Sequence, residues 1–449
     1  MAFWLVGLAS PVLIYALDIW EHTLGLAAMG WGVVMILDVA HLDMRRSGTD
    51  SSEPGRQGAG SERDPQAHAG VLKWRAALFA GALFGLAASM RTEAIVYFVT
   101  SVGIGCAALG WPRMWRAPLR VAALALVGFC LLFLANIGLE LAVLGEPFRS
   151  NRATGAASVA GQDLLVRAKE SMTTLFSLAP TLDLEHVLYG FCFAAGIGLF
   201  VMSAIGKVPK TIGYLALAGS VLAMLDRVTL GSGFWPGLFA TTPVAAAGLF
   251  LGWSPRPRRW VLVMGLLPLP LVFVFQFPGG AAPQWGGRYI LLSGLLLEVV
   301  GFATLAELGR STQQVLMGMA IVVTVMGLAW SSQRTHEVAR AGEILSARPE
   351  AVLISPQGFP PREFGATWGA KDWLSTQGRS DVPGAIDNGH NNLSSAVDLV
   401  RRSGKPSFAI VTTDTSVPFP EFPGFREVSR EQVPLIGGLE FTVISYVRA

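Results

Sequence analysis

Three carboxylate or imidazole side chains, Asp18, Glu21 and His22, stand close together in SPVLIYALDIWEHTLGL (Ser10–Leu26), with Trp20 between them. Two carboxylates beside an imidazole can hold a divalent metal, take a proton or bind a sugar hydroxyl. The plain alternative is a polar helix end with an interfacial Trp. A second group is Arg91 and Glu93 in LAASMRTEAIVYF (Leu86–Phe98), where the Arg can reach a phosphate or the two can simply pair across a turn. The third is Gln284, Trp285, Gly286, Gly287, Arg288 and Tyr289. Glycines let backbone approach a ligand, and an Arg at a helix start adds a planar fork to free N–H groups, which suits phosphate. The fourth, Gly145–Arg152 (GEPFRSNR), precedes an amphipathic stretch, Asp163–Leu178, that reads as a covering helix on a membrane surface. Asp226 and Arg227 read as a local pair. Asn136, Glu140 and Glu298 read as interhelical hydrogen-bonding groups.

These groups stand out because the rest of the chain is so apolar. Of 449 residues, 52% are hydrophobic and 14% charged, against roughly 25% charged in an ordinary soluble domain. Mean hydropathy is +0.49. A water-soluble globule, a disordered tail and a disulfide scaffold are excluded. A net charge of +3 gives no argument for nucleic acid as partner. Cys106, Cys130 and Cys192 lie in apolar runs and read as small buried hydrophobes.

Ten apolar runs have spanning or slightly shorter length, near 21–41, 74–90, 93–111, 119–144, 186–205, 211–226, 238–253, 259–276, 288–308 and 315–331. Lipid offers backbone groups no partner, so these runs should be helices. Alternate loops carry fifteen Lys or Arg in one set and seven in the other. The positive-inside rule assigns the richer set, from Arg45 to Arg310, to the cytoplasm. Residues 47–70, rich in Gly, Ser and charge, read as a disordered cytoplasmic loop. The expected fold is an α-helical polytopic membrane protein of about ten spans, residues 1–331, followed by a small extracytoplasmic α/β domain, residues 332–449, in the cytoplasmic (inner) membrane. In that domain Ser331–Arg348 continues the last span as a helix. Ala351–Ser355, Phe408–Thr412 and Phe441–Val447 read as strands, and Arg362–Thr376 and Leu393–Arg402 as helices, the latter ending before Gly404. His390 and Asp414 are lone polar residues of loops.

Three of these stretches, in order, resemble the GT-C superfamily, the polytopic glycosyltransferases that use polyprenyl-phosphate sugars, and in particular its bacterial mannosyl- and arabinosyltransferase-like branch. Leu8–Tyr15 (LASPVLIY) with Trp20–Gly25 (WEHTLG) looks like the family's Ser-Pro helix break and outer polar turn. Gly85–Glu93 (GLAASMRTE) looks like its short-helix pair with a basic tip. Gln284–Tyr289 (QWGGRY) looks like the Arg-Tyr that starts a late helix. The resemblance covers about residues 5–310. It implies sugar transfer from a polyprenyl-phosphate donor to an acceptor at the outer membrane face. Arg288, Tyr289, Gln284 and Arg91 would hold the donor phosphate. The departure is at the N-terminus, where about a hundred family-typical residues and the acid expected as general base do not appear before Met1. Glu21 or Asp18 would then act on the acceptor, or Glu21 and His22 on a divalent metal. The alternatives are a non-catalytic membrane scaffold whose external domain binds a partner, and a transporter or lipid flippase.

Overall fold

The computed structural model describes residues 21–49, 65–110, 115–144, 171–172, 174–176, 184–229, 236–275, 288–357, 360–361, 364–376, 392–413, 419–434 and 440–449. The chain is mostly helical, with a small C-terminal sheet. It divides into two units, Met1–Arg227 with Trp235–Val325, and Met326–Ala449 with Val228–Phe234.

The first unit is built from α1 (Glu21–Thr49), α2 (Pro65–Met90), α3 (Glu93–Ala108), α4 (Arg116–Leu144), α5 (Leu184–Ala204), α6 (Lys210–Thr229), α7 (Leu238–Thr241), α8 (Ala245–Leu251), α9 (Arg256–Leu266), α10 (Pro268–Phe275), a 3-10 turn at Arg288–Ile290, α11 (Leu291–Leu305) and the first half of α12 (Arg310–Ala347). Among the described residues, four stretches are long and apolar enough to cross a membrane: Thr23–Ala40, Arg116–Val143, Pro257–Val274 and Arg310–Ala347. Trp74–Met90, Glu93–Ala108, Leu188–Ala204 and Leu291–Leu305 are apolar but shorter. Leu131, Leu134, Leu139 and Val143 of α4 are each about 60% exposed or more. Such a leucine face is costly in water and free of cost in hydrocarbon.

Small residues set how closely these helices approach. A Cβ on Gly81 of α2 would fall 1.8 Å from the Ala125 carbonyl oxygen of α4, and one on Gly85 would fall 2.3 Å from that of Phe129. Gly128 of α4 makes the reciprocal approach to Leu78, at 1.9 Å. Gly81 and Gly85 thus form a GxxxG stripe that brings two backbones together, the usual way for lipid-soluble helices to gain packing contact. Both contacts join residues 44 apart in sequence, so α2 and α4 run parallel with α3 returning between them. Gly32 against Phe84 makes α1 antiparallel to α2. Ala80, Phe84, Phe98 and Phe129 fill the core of this quartet.

In the second unit the strands β1 (Val352–Ser355), β2 (Asp372–Ser375), β3 (Ser407–Thr412), β4 (Phe425–Pro434) and β5 (Glu440–Arg448) form one sheet in the order β2-β1-β3-β5-β4. β1 is parallel to both β2 and β3, and β5 is antiparallel to β3 and β4. Val352, Ile354, Phe408 and Ile410 face α13 (Leu393–Arg402) through Leu393, Val397 and Val400. Leu353, Ala409 and Val411 pack on the opposite side with Ala341 and Leu345 of α12. With both faces covered, these strands need unbroken apolar runs rather than alternation. Gly404, at φ +72°, turns the chain out of α13, a conformation that favours glycine.

Several expectations change. Of the helix read over Arg362–Thr376, residues 362–363 lie outside the described residues, and the rest is instead a 3-10 turn at Gly365–Thr367 followed by β2. Pairing with β1 from Val352↔Asp372 to Ser355↔Ser375 overrides the helical spacing. Trp373 secures the turn by donating its indole N–H to Thr367 Oγ1 at 2.7 Å. The run 238–253 splits at Thr242–Val244, and the run 259–276 at Leu267, where Pro243, Pro268 and Pro270 interrupt the helical ladder. The segment read as a loop over 47–70 is narrower, since α1 extends to Thr49 and α2 begins at Pro65, while 50–64 lie outside the described residues. Cys192 is exposed, not buried, and Cys106 and Cys130 are half-buried, because an outward helix face in this bundle is as apolar as an inward one. Asn136 donates to Glu140 within α4, at 3.1 Å, rather than between helices. His390, Asp414, Pro11 and the loop Gly145–Arg152 lie outside the described residues.

Replacing Gly81 or Gly128 with Leu should force α2 and α4 apart and lower stability by about 1–3 kcal/mol. Thermal unfolding in detergent checks this. Gly138→Ala, where nothing lies within 4 Å of the added carbon, should leave the transition unchanged or slightly raised.

Candidate functional site

Arg91 and Glu93 form the turn between α2 and α3, and they are buried, at 4% and 1% exposure. An exposed pair capping a hairpin would be worth little. This pair is different, because Arg91 Nε donates to Glu93 Oε1 in a site closed to water. Two opposite charges must be buried together here, since either one alone would be uncompensated. The turn allows it locally. Arg91 N–H still bonds back to Ala87 O at 2.7 Å, and Ala94 N–H to Arg91 O at 3.2 Å.

Two other parts of the chain close around the Arg91 side chain. Gly25 of α1 lies against its stem, where a Cβ would fall 2.8 Å from Arg91 Cδ. Tyr289, in the 3-10 turn that opens α11, offers its ring at 5.9 Å from the guanidinium carbon. That geometry is a cation–π contact. Segments some two hundred residues apart thus meet at one end of the bundle.

A second tie fixes the start of α11. The Ser293 backbone N–H, in the first turn of that helix, donates to the Tyr97 hydroxyl oxygen at 3.2 Å, and the two hydroxyls are 2.8 Å apart. First-turn N–H groups have no partner within their own helix. Tyr97 of α3 supplies one from across the bundle, buried at 1% exposure. Neither Tyr97 nor Ser293 is distinguishable by spacing. The only signal is a hydroxyl in each of two apolar runs.

The expected site residues therefore separate into three groups. Arg91 and Tyr289 come together, with Glu93 beside them. Arg288 begins the 3-10 turn next to Tyr289, and Glu21 and His22 begin α1 one turn before Gly25, by backbone position alone. Asp18 and Gln284 lie outside the described residues. No cluster of three His, Cys, Asp or Glu suited to a metal ion occurs among the described residues. Of the amphipathic stretch Asp163–Leu178, residues 171–172 and 174–176 are described and helical. Leu175 packs on the bundle core, and Phe176 stacks on Phe239 at 5.2 Å. Glu298 of α11 is fully buried.

The second unit holds a groove of about 680 Å3 lined by Phe419, Phe422, Phe425, Glu427, Arg430 and Tyr446, among others. Two of its charged groups are occupied with one another. Arg430 donates twice to Glu427, at 3.1 Å each. Burial first, then the Glu427 carboxylate, pushes the Tyr446 hydroxyl up to about 12.

Glu93→Gln should destabilise the protein by about 3–5 kcal/mol, because it leaves Arg91 buried without its counter-charge; detergent unfolding of this variant beside Arg91→Met/Glu93→Met, which removes both charges and should be less harmful, checks it. Tyr446 binds its proton more tightly folded than unfolded, so its contribution is full below its ordinary value near 10 and is lost as pH rises through about 12. Tyr446→Phe should therefore flatten the stability profile in that alkaline window, measured by pH-dependent unfolding.

Comparison with known proteins finds no matching family model, no matching curated protein and no matching solved structure.

Proposed function

We propose that this chain is a membrane glycosyltransferase, or a portion of one, that moves a sugar from a polyprenyl-phosphate donor to an acceptor at the outer face of the cytoplasmic membrane. The observation that carries this reading is the meeting of Gly25, Arg91 with Glu93, and Tyr289 at one end of the bundle. These residues come from the three stretches that resemble the GT-C superfamily. A lipid-linked phosphate lies at the level of helix ends, with its chain alongside the bundle.

In this reading the acceptor hydroxyl oxygen attacks the anomeric carbon. The bond from that carbon to the phosphate oxygen breaks, and polyprenyl phosphate leaves with the bonding pair. The hydroxyl proton passes to a carboxylate, for which Glu21 and Asp18 are the candidates within this chain. Negative charge grows on the phosphate as it leaves, so cations fixed in advance at that point lower the barrier. Arg288 takes that role, with Tyr289 and Gln284 assisting, and Arg91, buried against Glu93, supports the site from behind the Tyr289 ring. Glu93 holds Arg91 in place. A divalent metal held by Glu21 and His22 is compatible with the donor set.

The proposed topology follows from the bias of basic residues. Loops from Arg45 to Arg310 in the richer set face the cytoplasm, and residues 332–449 lie outside. α2 and α4 run parallel, as alternating crossings require.

Arg288→Ala should lower transfer by roughly 100-fold or more without loss of membrane insertion. The assay is release of polyprenyl phosphate from polyprenyl-phosphate mannose or arabinose by the full chain in proteoliposomes. Full activity in Arg288→Ala would sink the assignment.

A further inference from the structure

We propose that the Trp74–Arg75 segment of α2 and the start of α4 together form a binding site for the headgroup of an anionic phospholipid. Because the two helices are parallel, with Gly81 against Ala125 and Gly85 against Phe129, that segment lies beside the first turns of α4. The same register brings Arg75 level with Leu119. Arg120 of α4 reaches across to Trp74 of α2, its guanidinium carbon 5.9 Å from the indole centroid, and Arg116 lies 5.5 Å from the Trp115 ring.

Arg75, Arg116 and Arg120 are all exposed. Among the described residues none of the three has a carboxylate or hydrogen-bond partner. That sets them apart from Arg91, which is paired with Glu93, and Arg258, which is paired with Glu307. Asp38 belongs to α1, whose Val39 and Ala40 pack into the same end with Ala77 and Val121, yet it pairs with none of the three. A guanidinium lying on an indole face keeps its edge N–H groups turned outward, in the planar fork that matches phosphate oxygens. Indoles sit where headgroups do.

The apolar surface beside this cluster selects a lipid over a free phosphate. Phe79, Leu119, Leu126 and Val127 are each more than half exposed on the same two helices. They give the acyl chains a continuous apolar flank next to the charged end. Basic pockets between helices commonly take such headgroups. A general excess of basic residues on one side of the membrane would produce charge there too, but not Arg116 and Arg120 set over two indoles with Arg75 next to one of those indoles in sequence.

The test uses the full chain reconstituted in vesicles of phosphatidylcholine and phosphatidylglycerol at one fixed composition. In one set only the phosphatidylglycerol carries bromine near its headgroup, and in the other only the phosphatidylcholine does. The signal of the two indoles is the tryptophan fluorescence of the protein minus that of a Trp74→Phe/Trp115→Phe variant. Brominated phosphatidylglycerol should quench that signal several-fold more than brominated phosphatidylcholine. The preference should fall stepwise with each guanidinium lost, and vanish in Arg75→Gln/Arg116→Gln/Arg120→Gln. Replacing the three by Lys keeps the charge and should leave an intermediate preference. Lys207→Gln/Lys210→Gln/Arg310→Gln removes equal charge from what the proposed topology makes the same membrane side, and should leave the preference intact. Equal quenching by the two lipids overturns the proposal. So does a preference that survives the Arg-to-Gln change, or one that falls as far in the control variant.

Discussion

The buried ion pair between Arg91 and Glu93 is the constraint around which the first unit is arranged. A charged turn with almost no exposure survives in an apolar bundle only if its two charges meet and the surroundings hold them together. Gly25 gives the Arg91 stem room, and Tyr289 covers the guanidinium face. Tyr97 pins Ser293 a turn further along α11. Each contact joins a different pair of elements, so the turn fixes α1, α2, α3 and α11 at one level. Once that level is set, the α2–α4 glycine stripe carries the register along the bundle.

The helical part of the fold was legible because lipid-compatible helices must be apolar for their whole length. All ten apolar runs correspond to helical segments, and the charged continuation Ser331–Arg348 is helical as well, through Ala347. Interruptions within runs were less visible. Pro243, Pro268 and Pro270 stand in sequences otherwise as apolar as their neighbours, and a proline can kink a helix or end it. In the second unit β1, β3 and β5 announce themselves through fully buried apolar runs. β4 does not, because Phe425–Pro434 is an edge strand rich in Arg and Glu. Such charges keep an edge from pairing with another chain, and they also erase the pattern by which a strand is read.

Arg91 and Tyr289 were legible as chemistry-bearing residues, since a charge or an Arg-Tyr pair at an apolar helix end has few ordinary uses. Their meeting was not legible, and neither was Gly25 as the residue that makes room. Contacts across two hundred residues depend on how four helices pack. Tyr97 and Ser293 gave still less signal, because single hydroxyls are common in helices that bond them to their own backbone, as Thr100 does with Val96. The two ends of the α1–α2–α3–α4 quartet also differ in kind. One buries its arginine with a carboxylate partner, while the other leaves Arg75, Arg116 and Arg120 exposed without one, two of them over indoles, and that contrast separates a closed site from an open headgroup surface.

The most direct test of the central claim is photo-crosslinking of the full chain in proteoliposomes with a polyprenyl phosphate carrying a diazirine next to its phosphate, followed by mapping of the labelled peptides. The account expects adducts in the start of α1, the Arg91–Glu93 turn and the Arg288–Ile290 turn, displaced by unlabelled polyprenyl phosphate. Adducts spread over the lipid-facing side of α4, with none near Arg91 or Tyr289, would contradict it.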